Sequence, residues 1–434
     1  MRKISGKFTR SIEKNPRSYR TIADIVLTGL IVCTALFGPA WFFTVRSGRA
    51  GSANPVVNSA SMPVQSGQYL YYVLKKPEGF VLARARKGTS NQPVETPQEI
   101  ASFSDNFGMT TADNVVTLQL SPDGHYLAID GTRSDCELVW IFDTRRLTLT
   151  SEPANVSGSF LHWIPGPGET FLYRPMFPRG QNAPLDNSNW NPGLWKVNAV
   201  TGALENIDIH MSSAFLVDAV ASPDGTRIVY STSEGLGTGS TIWRMGNNGQ
   251  NQVQMVQLPG GAQSIAGFFT WSPNGQAITY ERLADSPTPF LPAGLWVMNN
   301  QGTAQRYLAQ ADGGHGYAPG WSPDGRKIAF VVRTNPGTGL ADQQVQALDS
   351  GIGVVDVDTG QTRMVAGPVQ TGVQINTSPV WSADSSHLTF AAFNPLNPIV
   401  GGKPRYWSVP INATATQPYV LPLSPPIGNV IAFG

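Results

Sequence analysis

Short stretches in which apolar and polar residues alternate recur from about residue 63 to the end of the chain. Clear copies are YLAID, RIVYS, AITYE, KIAFVV and HLTFAA. Alternation with a period of two predicts β-strands that bury one face. A second strand-like segment follows in each unit, for example LVWIFD, LWKVN or LWVMNN. The pattern therefore predicts an all-β chain built from repeated units.

A turn motif precedes the first strand of each unit. Its sharpest copies are WSPNG at 271–275 and WSPDG at 321–325, and looser copies begin at Leu120, Ala221 and Trp381. Ser-Pro-Asp-Gly fits a type I β-turn, because Pro presets φ at the second position and Gly suits the fourth. The preceding Trp can fill the space between neighbouring sheets, and we expect packing rather than ligand binding from it.

The turns recur at spacings of 44 to 60 residues, with several strands in each unit. This period is typical of a β-propeller. Seven units are visible, so we predict seven four-stranded blades, with six or eight as open alternatives. The C-terminal segment GNVIAFG, residues 428–434, is strand-like. We expect it to complete the first blade.

With these turns and strands, residues 63–434 resemble the TolB-type family of WD-like propeller repeats. The same repeat occurs in the propellers of dipeptidyl-peptidases and prolyl-oligopeptidases. The resemblance implies the fold and says little about function. TolB has an additional small α/β domain, and the peptidases have a hydrolase domain; neither fits in this chain.

A 21-residue run without charge, from Ile25 to Val45, is long enough to cross a bilayer as a helix. Seven basic residues precede it within the first 20 positions, against one acidic residue. The positive-inside rule then places the N-terminus in the cytoplasm. We predict a basic cytoplasmic tail (1–21), a transmembrane helix (22–46), a flexible linker (47–62) and an extracytoplasmic propeller (63–434). A cleavable signal peptide is the alternative.

Composition narrows the functional classes. Only 14% of residues are charged, the net charge is +1, and the chain after the tail is mildly acidic without a Lys/Arg-rich run. Nucleic-acid binding is therefore not expected. Two cysteines and five dispersed histidines show no metal-binding spacing. No Gly-x-Ser-x-Gly elbow of a serine hydrolase is present either. We predict no catalytic residue, no metal and no cofactor.

Four long insertions join the second and third strands of their units: 174–193, 282–294, 332–350 and 392–405. In a four-stranded blade these connections emerge on the same face as the connections between blades. Long loops on a rigid scaffold are common binding sites. The candidate binding residues are the loop-tip side chains and the pair before one inner strand: Met176, Phe177, Trp190, Phe290, Leu291, His315 and Tyr317.

The leading functional prediction is a protein-binding scaffold or accessory subunit of a membrane complex, anchored through residues 22–46 in the plasma (inner) membrane. One alternative is a sensor that binds a small ligand or glycan at the channel mouth. The other is a propeller-type hydrolase or lyase, which would need acidic or metal-binding groups converging at that mouth.

Overall fold

The structure is a computed structural model. It describes residues 69–76, 79–86, 98–103, 114–133, 136–151, 158–166, 169–175, 193–210, 214–235, 237–284, 289–313, 317–337, 339–340, 342–344, 348–367, 374–375, 378–393, 405–412, 419–420 and 430–433. The predicted tail, transmembrane helix and linker lie outside these ranges. Within them, no helix has the length and hydropathy needed to cross a membrane.

The described residues form 29 strands in seven antiparallel sheets. Blade 1 contains β1 (Tyr69–Lys76), β2 (Gly79–Arg86) and β3 (Gln98–Ser102). Blade 2 contains β4 (Asn114–Leu120), β5 (Tyr126–Arg133), β6 (Cys136–Asp143) and β7 (Thr148–Ser151). Blade 3 contains β8 (Gly158–Ile164), β9 (Thr170–Pro175), β10 (Leu194–Asn198) and β11 (Leu204–Ile207). Blade 4 contains β12 (Phe215–Ala221), β13 (Arg227–Ser233), β14 (Ser240–Gly246) and β15 (Val253–Leu258).

The remaining blades follow the same plan. Blade 5 contains β16 (Ile265–Trp271), β17 (Ala277–Leu283), β18 (Ala293–Asn299) and β19 (Arg306–Ala311). Blade 6 contains β20 (Gly320–Trp321), β21 (Lys327–Arg333), β22 (Ser350–Asp356) and β23 (Thr362–Ala366). Blade 7 contains β24 (Gln374–Ile375), β25 (Val380–Trp381), β26 (His387–Phe393), β27 (Arg405–Pro410) and β28 (Tyr419–Val420). The prediction of seven blades is confirmed.

The last strand, β29 (Val430–Phe433), returns to blade 1 and pairs antiparallel with β1. The sheet order is β29-β1-β2-β3, so the C-terminal strand is the innermost strand of the first blade. Tyr72 lies opposite Phe433 and Val73 opposite Ala432. The predicted closure of the ring by the C-terminal segment is therefore confirmed.

The Ser-Pro-Asp-Gly turns have the predicted type I hydrogen bond. In blade 2 the amide of Gly124 donates to the carbonyl of Ser121 at 2.8 Å, and the same bond recurs in blades 4 to 7. The Ser121 hydroxyl also donates to Oδ1 of Asp123 at 2.6 Å. Gly225 has a φ of +68°, and a Cβ there would lie 1.9 Å from the carbonyl oxygen of Pro165 in blade 3. Glycine is thus required at this position for two reasons: the backbone has a positive φ, and a side chain would collide with the neighbouring blade.

The tryptophans before the turns pack between blades, as predicted. Trp321 belongs to a core cluster with Ala293 and Leu295 of blade 5. Trp381 packs with Ala329 and Val331 of blade 6. The indole nitrogen of Trp381 donates to the carbonyl of Gly320 at 2.9 Å. The Trp positions therefore join neighbouring blades by burial of apolar area and, in several cases, by a hydrogen bond.

Candidate functional site

One face of the propeller, here called the loop face, carries the connections between second and third strands and those between blades. The four long predicted insertions fall at the β9–β10, β17–β18, β21–β22 and β26–β27 connections. All four join the second and third strands of their sheets. They therefore leave the blades on the loop face, as the sequence predicts. The Ser-Pro-Asp-Gly turns lie on the opposite face, here called the turn face.

Three large apolar side chains are exposed on the loop face in consecutive blades. Phe215 begins the inner strand of blade 4 and is 52% exposed, Leu291 in blade 5 is 37% exposed, and Leu340 in blade 6 is 62% exposed. We call Phe215, Leu291 and Leu340 the apolar rim. Exposed apolar groups on a propeller face lose contact with water when a partner covers them, and that burial is favourable.

A buried arginine holds the loops under this rim in place. Arg333, at the end of β21, is almost fully buried and donates to the carbonyl oxygen of Phe290. Its Nη2 also donates to Oδ1 of Asp342 at 2.6 Å. The amide of Phe290 donates to the carbonyl of Asp342 at 2.7 Å. These bonds link the loops of blades 5 and 6, so that Leu291 and Leu340 sit on a braced pair of loops.

The connection between blades 5 and 6 adds a third contact beneath the rim. A Cβ on Gly313 would lie 2.0 Å from the carbonyl oxygen of Leu291. The backbone at Gly313 therefore touches the β17–β18 loop directly. Such close approach is possible only without a side chain at this position.

The predicted binding residues have different environments. Leu291 is exposed. Phe290 is buried, and its backbone carbonyl accepts a hydrogen bond from Arg333. Tyr317 is buried in a core cluster with Trp381 and Ala329, and burial raises the pKa of its hydroxyl. Met176, Phe177, Trp190 and His315 lie outside the described residues. The structure therefore brings Leu291 to the surface and places Phe290 and Tyr317 in the interior.

Two members of the apolar rim were not among the predicted residues. Leu340 lies within the predicted insertion 332–350, where it is an apolar residue among Gly, Asp and Gln. This contrast with its neighbours could have identified Leu340 as a candidate from the sequence. Phe215 follows a Ser-Ser-Ala segment and begins a strand of ordinary apolar composition. Nothing in the sequence separates it from the buried aromatic residues.

Two acidic side chains meet between blades 5 and 6. Glu281 on β17 and Asp312 after β19 are both fully buried. Burial, and then the charge of Asp312, raise the pKa of Glu281 well above its usual range. Neither carboxyl oxygen of Glu281 has a hydrogen-bond partner among the described residues. Because both oxygens are also closed to solvent, this carboxyl group is not placed to exchange protons with a substrate in the channel.

The inner strands form a recess at the turn-face end of the channel. It is lined by residues of blades 3 to 5, including His162, Val220, Thr270 and Trp271, and has an interior volume of about 10 Å³. That is the space of about one water molecule, far below the roughly 300–1,000 Å³ of ligand pockets.

Only one group of three possible metal ligands occurs among the described residues, and it lies on the turn face. It consists of Asp123, His125 and Glu169, whose ligand atoms all lie within 4.8 Å of one another. Sequence spacing gave no indication of it, because the members come from two adjacent blades.

Comparison with known proteins gives structural matches and no sequence matches. No protein-family model matches the chain, and no curated protein matches it in sequence. TolB from Acinetobacter baumannii is 16% identical, with a TM-score of 0.44 over 70% of this chain and 65% of that protein. An oligogalacturonate lyase in complex with manganese is 13% identical, with a TM-score of 0.53 over 85% of this chain and 90% of the lyase.

A second oligogalacturonate lyase, from Vibrio parahaemolyticus, is 12% identical, with a TM-score of 0.53 over 81% of this chain and 89% of the lyase. Identities this low are informative about fold alone. The seven-bladed propeller of this chain has TolB proteins and oligogalacturonate lyases among its structural neighbours.

Proposed function

We propose that the chain is a membrane-anchored, extracytoplasmic propeller that binds another protein through its loop face. The observation that carries this proposal is the apolar rim: Phe215, Leu291 and Leu340 are exposed in three consecutive blades, and Arg333 braces the loops that carry Leu291 and Leu340. Exposed apolar side chains on a rigid support favour a protein partner, because protein interfaces place apolar anchors at their centres. The basic tail and the apolar segment 22–46 support the membrane anchor.

The acidic pair between blades 5 and 6 favours binding over catalysis. Glu281 and Asp312 are both buried there, and both carboxyl oxygens of Glu281 are closed to solvent. The channel recess lies at the opposite end of the ring from the apolar rim. We therefore infer a non-enzymatic role in which the partner covers the rim of blades 4 to 6.

The test is site-specific photo-crosslinking of the full chain in the membranes of its own cells. A photoreactive amino acid replaces Leu340 and, as the matched control, Val253, which is 48% exposed on the outer strand β15. We expect one defined adduct from position 340 in the membrane fraction and none from position 253. The double substitution Leu291→Asp and Leu340→Asp should remove copurification of the crosslinked protein while leaving the melting temperature unchanged.

Equal adducts from both positions, or a partner that survives the double substitution, would contradict the proposed binding face. A full chain that purifies from detergent without any other subunit and gives no adduct would contradict the proposed function. Recovery of the full chain outside the membrane fraction would contradict the anchor.

A further inference from the structure

One backbone hydrogen bond recurs on the turn face in six blades. In two of these blades, the residue that accepts it has a side chain that can bind a metal, His125 or Glu169. The residue after the turn accepts a hydrogen bond at its carbonyl from the segment that follows the third strand. In blades 2 to 7 this position holds His125, Glu169, Thr226, Gln276, Arg326 and Ser386. His125 and Glu169 are thus the same repeat position in adjacent blades. In a repeat protein, such pairs lie side by side on one face.

The side chains of this pair meet. Nδ1 of His125 lies 3.5 Å from Oε1 of Glu169. The turn aspartate of blade 2, Asp123, completes the group, with ligand atoms of all three residues within 4.8 Å of one another. Oδ1 of Asp123 accepts the turn bonds from the Ser121 hydroxyl and the His125 amide. Its second oxygen, Oδ2, has no hydrogen-bond partner among the described residues and is left for a ligand.

A third carboxylate, that of Asp143, faces the other nitrogen of the imidazole. Oδ2 of Asp143, at the end of β6, lies 3.4 Å from Nε2 of His125. Asp143 is almost fully buried, and its Oδ1 accepts the amides of Arg145 and Arg146 at 2.9 and 2.8 Å. Arg146 is the other charged group facing this carboxylate, 3.8 Å away.

A carboxylate at one imidazole nitrogen fixes the tautomer that leaves the other nitrogen unprotonated. Metal-binding histidines usually have this arrangement, with the second nitrogen donating to a carboxylate or carbonyl. Here Nε2 faces Asp143, and Nδ1 faces Glu169. The ring of His125 also lies against Tyr126, with centroids 4.1 Å apart, which restricts its rotation.

We propose that Asp123, His125 and Glu169 bind a divalent transition-metal ion of the zinc class, and that Asp143 positions the imidazole. One imidazole and two carboxylates suit zinc and similar ions, whereas calcium takes six to eight oxygen ligands. Neighbouring ligand atoms in a tetrahedral zinc site lie about 3.4 Å apart. The distance between His125 and Glu169 already matches this, and the exposed Asp123 has a ligand atom within 4.8 Å of both. The fourth position stays open to water or to a partner's side chain.

Zinc titration of the full chain, freed of metal and carrying no affinity tag of histidines, tests the site. We expect calorimetry to show saturable binding of one zinc ion per chain. A visible absorption band should appear when cobalt(II) replaces zinc. His125→Gln and Glu169→Gln should each abolish this binding. Asp143→Asn should weaken it by about ten- to hundredfold, the usual effect of losing an outer carboxylate. Excess calcium should not displace the zinc.

Matched controls come from blades 4 and 5. Gln276→Ala changes the same repeat position as His125, and Asp224→Asn changes the same turn position as Asp123; both should leave zinc binding unchanged. His125 and Glu169 are partly exposed on the turn face, so their variants are expected to fold, and melting temperatures check this. Absence of saturable binding, or the same binding in His125→Gln and Glu169→Gln, would overturn the site. Displacement by calcium would overturn the assigned metal class.

Discussion

At the scale of single residues, the turns are held by a small network that the sequence motif only partly encodes. In blade 7 the hydroxyls of Ser382 and Ser386 both donate to Oδ1 of Asp384. The amide of Ser386 donates to the same oxygen at 3.0 Å. Blade 5 builds the equivalent turn with Asn274, whose Oδ1 accepts from the Ser272 hydroxyl at 2.7 Å and the Gln276 amide at 3.0 Å. The geometry therefore needs an oxygen acceptor at this position and does not need a charge.

This comparison predicts a difference in pH dependence. The Ser382 and Ser386 hydroxyl bonds lower the pKa of Asp384 in the folded chain. A lowered folded pKa contributes stability above the unfolded value of about 3.9, and that contribution is lost as the pH falls through the folded pKa. Asp384→Asn should therefore be less stable than the parent at pH 7, with a difference that narrows towards pH 3. Urea unfolding of both chains at several pH values measures it.

The reverse substitution is the control. Asn274→Asp adds a titrating group to the equivalent turn, so its stability relative to the parent should rise between pH 3 and pH 7. If the free energies of unfolding of both variants differ from that of the parent by the same amount at all pH values, the turn carboxylate contributes no charge-dependent stability.

At the scale of elements, the contact between a turn tryptophan and the preceding blade has two parts, burial and a hydrogen bond. Trp381 and Trp271 occupy equivalent positions and are both buried. The indole nitrogen of Trp381 donates to the Gly320 carbonyl, whereas that of Trp271 has no partner among the described residues. The pair therefore separates the two contributions.

Trp381→Phe should destabilise the chain more than Trp271→Phe does. Both variants lose similar apolar volume, but only the first leaves a buried carbonyl without its donor, which costs about 1–3 kcal/mol. The free energies of unfolding from denaturant titration give the difference. Equal losses in the two variants would mean that the Gly320 bond adds nothing beyond packing.

The elements also show how far the sequence can predict this structure. Period-two alternation identified the second strands because one face of each is buried, and the Ser-Pro-Asp-Gly motif identified the turns because each of its residues suits one turn position. The alternation of apolar and polar residues is weaker in the outer strands. Register shifts such as that between Ile242 and Trp243 cannot be recognised from the sequence. Phe290 and Leu291 looked alike as apolar loop residues. Their opposite exposure depends on Arg333, which lies more than forty positions away and is brought beneath the loop only by the fold.

At the scale of the whole molecule, the two faces of the ring carry different candidate sites. The loop face presents the apolar rim of Phe215, Leu291 and Leu340, and the turn face presents Asp123, His125 and Glu169. The repeat period predicts which loops share a face. It does not predict which side chains of neighbouring blades touch, because that depends on the exact rotation between blades. The loop-face hypothesis could therefore be reached from the sequence, and the turn-face group could not.

Ring closure is the property that makes these faces rigid, and it depends on the last few residues. The innermost strand of blade 1 is β29, which pairs with β1 at Tyr72–Phe433 and Val73–Ala432 and shifts register before Leu74–Val430. Blade 1 without it would expose the inner edge of β1 and lose the contact between β29 and β4 of blade 2. Unpaired edge strands expose backbone donors and acceptors and promote association.

Deletion of residues 427–434 should therefore lower the melting temperature of the whole propeller and increase its aggregation. The expected change is cooperative, because opening the ring removes the inner support of blades 1 and 2 together. Calorimetry and light scattering of the deleted and full chains measure both effects. Ala432→Pro, which removes one backbone donor from the same strand and keeps its length, should shift the melting temperature in the same direction by a smaller amount. An unchanged melting temperature after the deletion would show that blade 1 is stable as a three-stranded sheet and that closure by β29 contributes nothing to the ring.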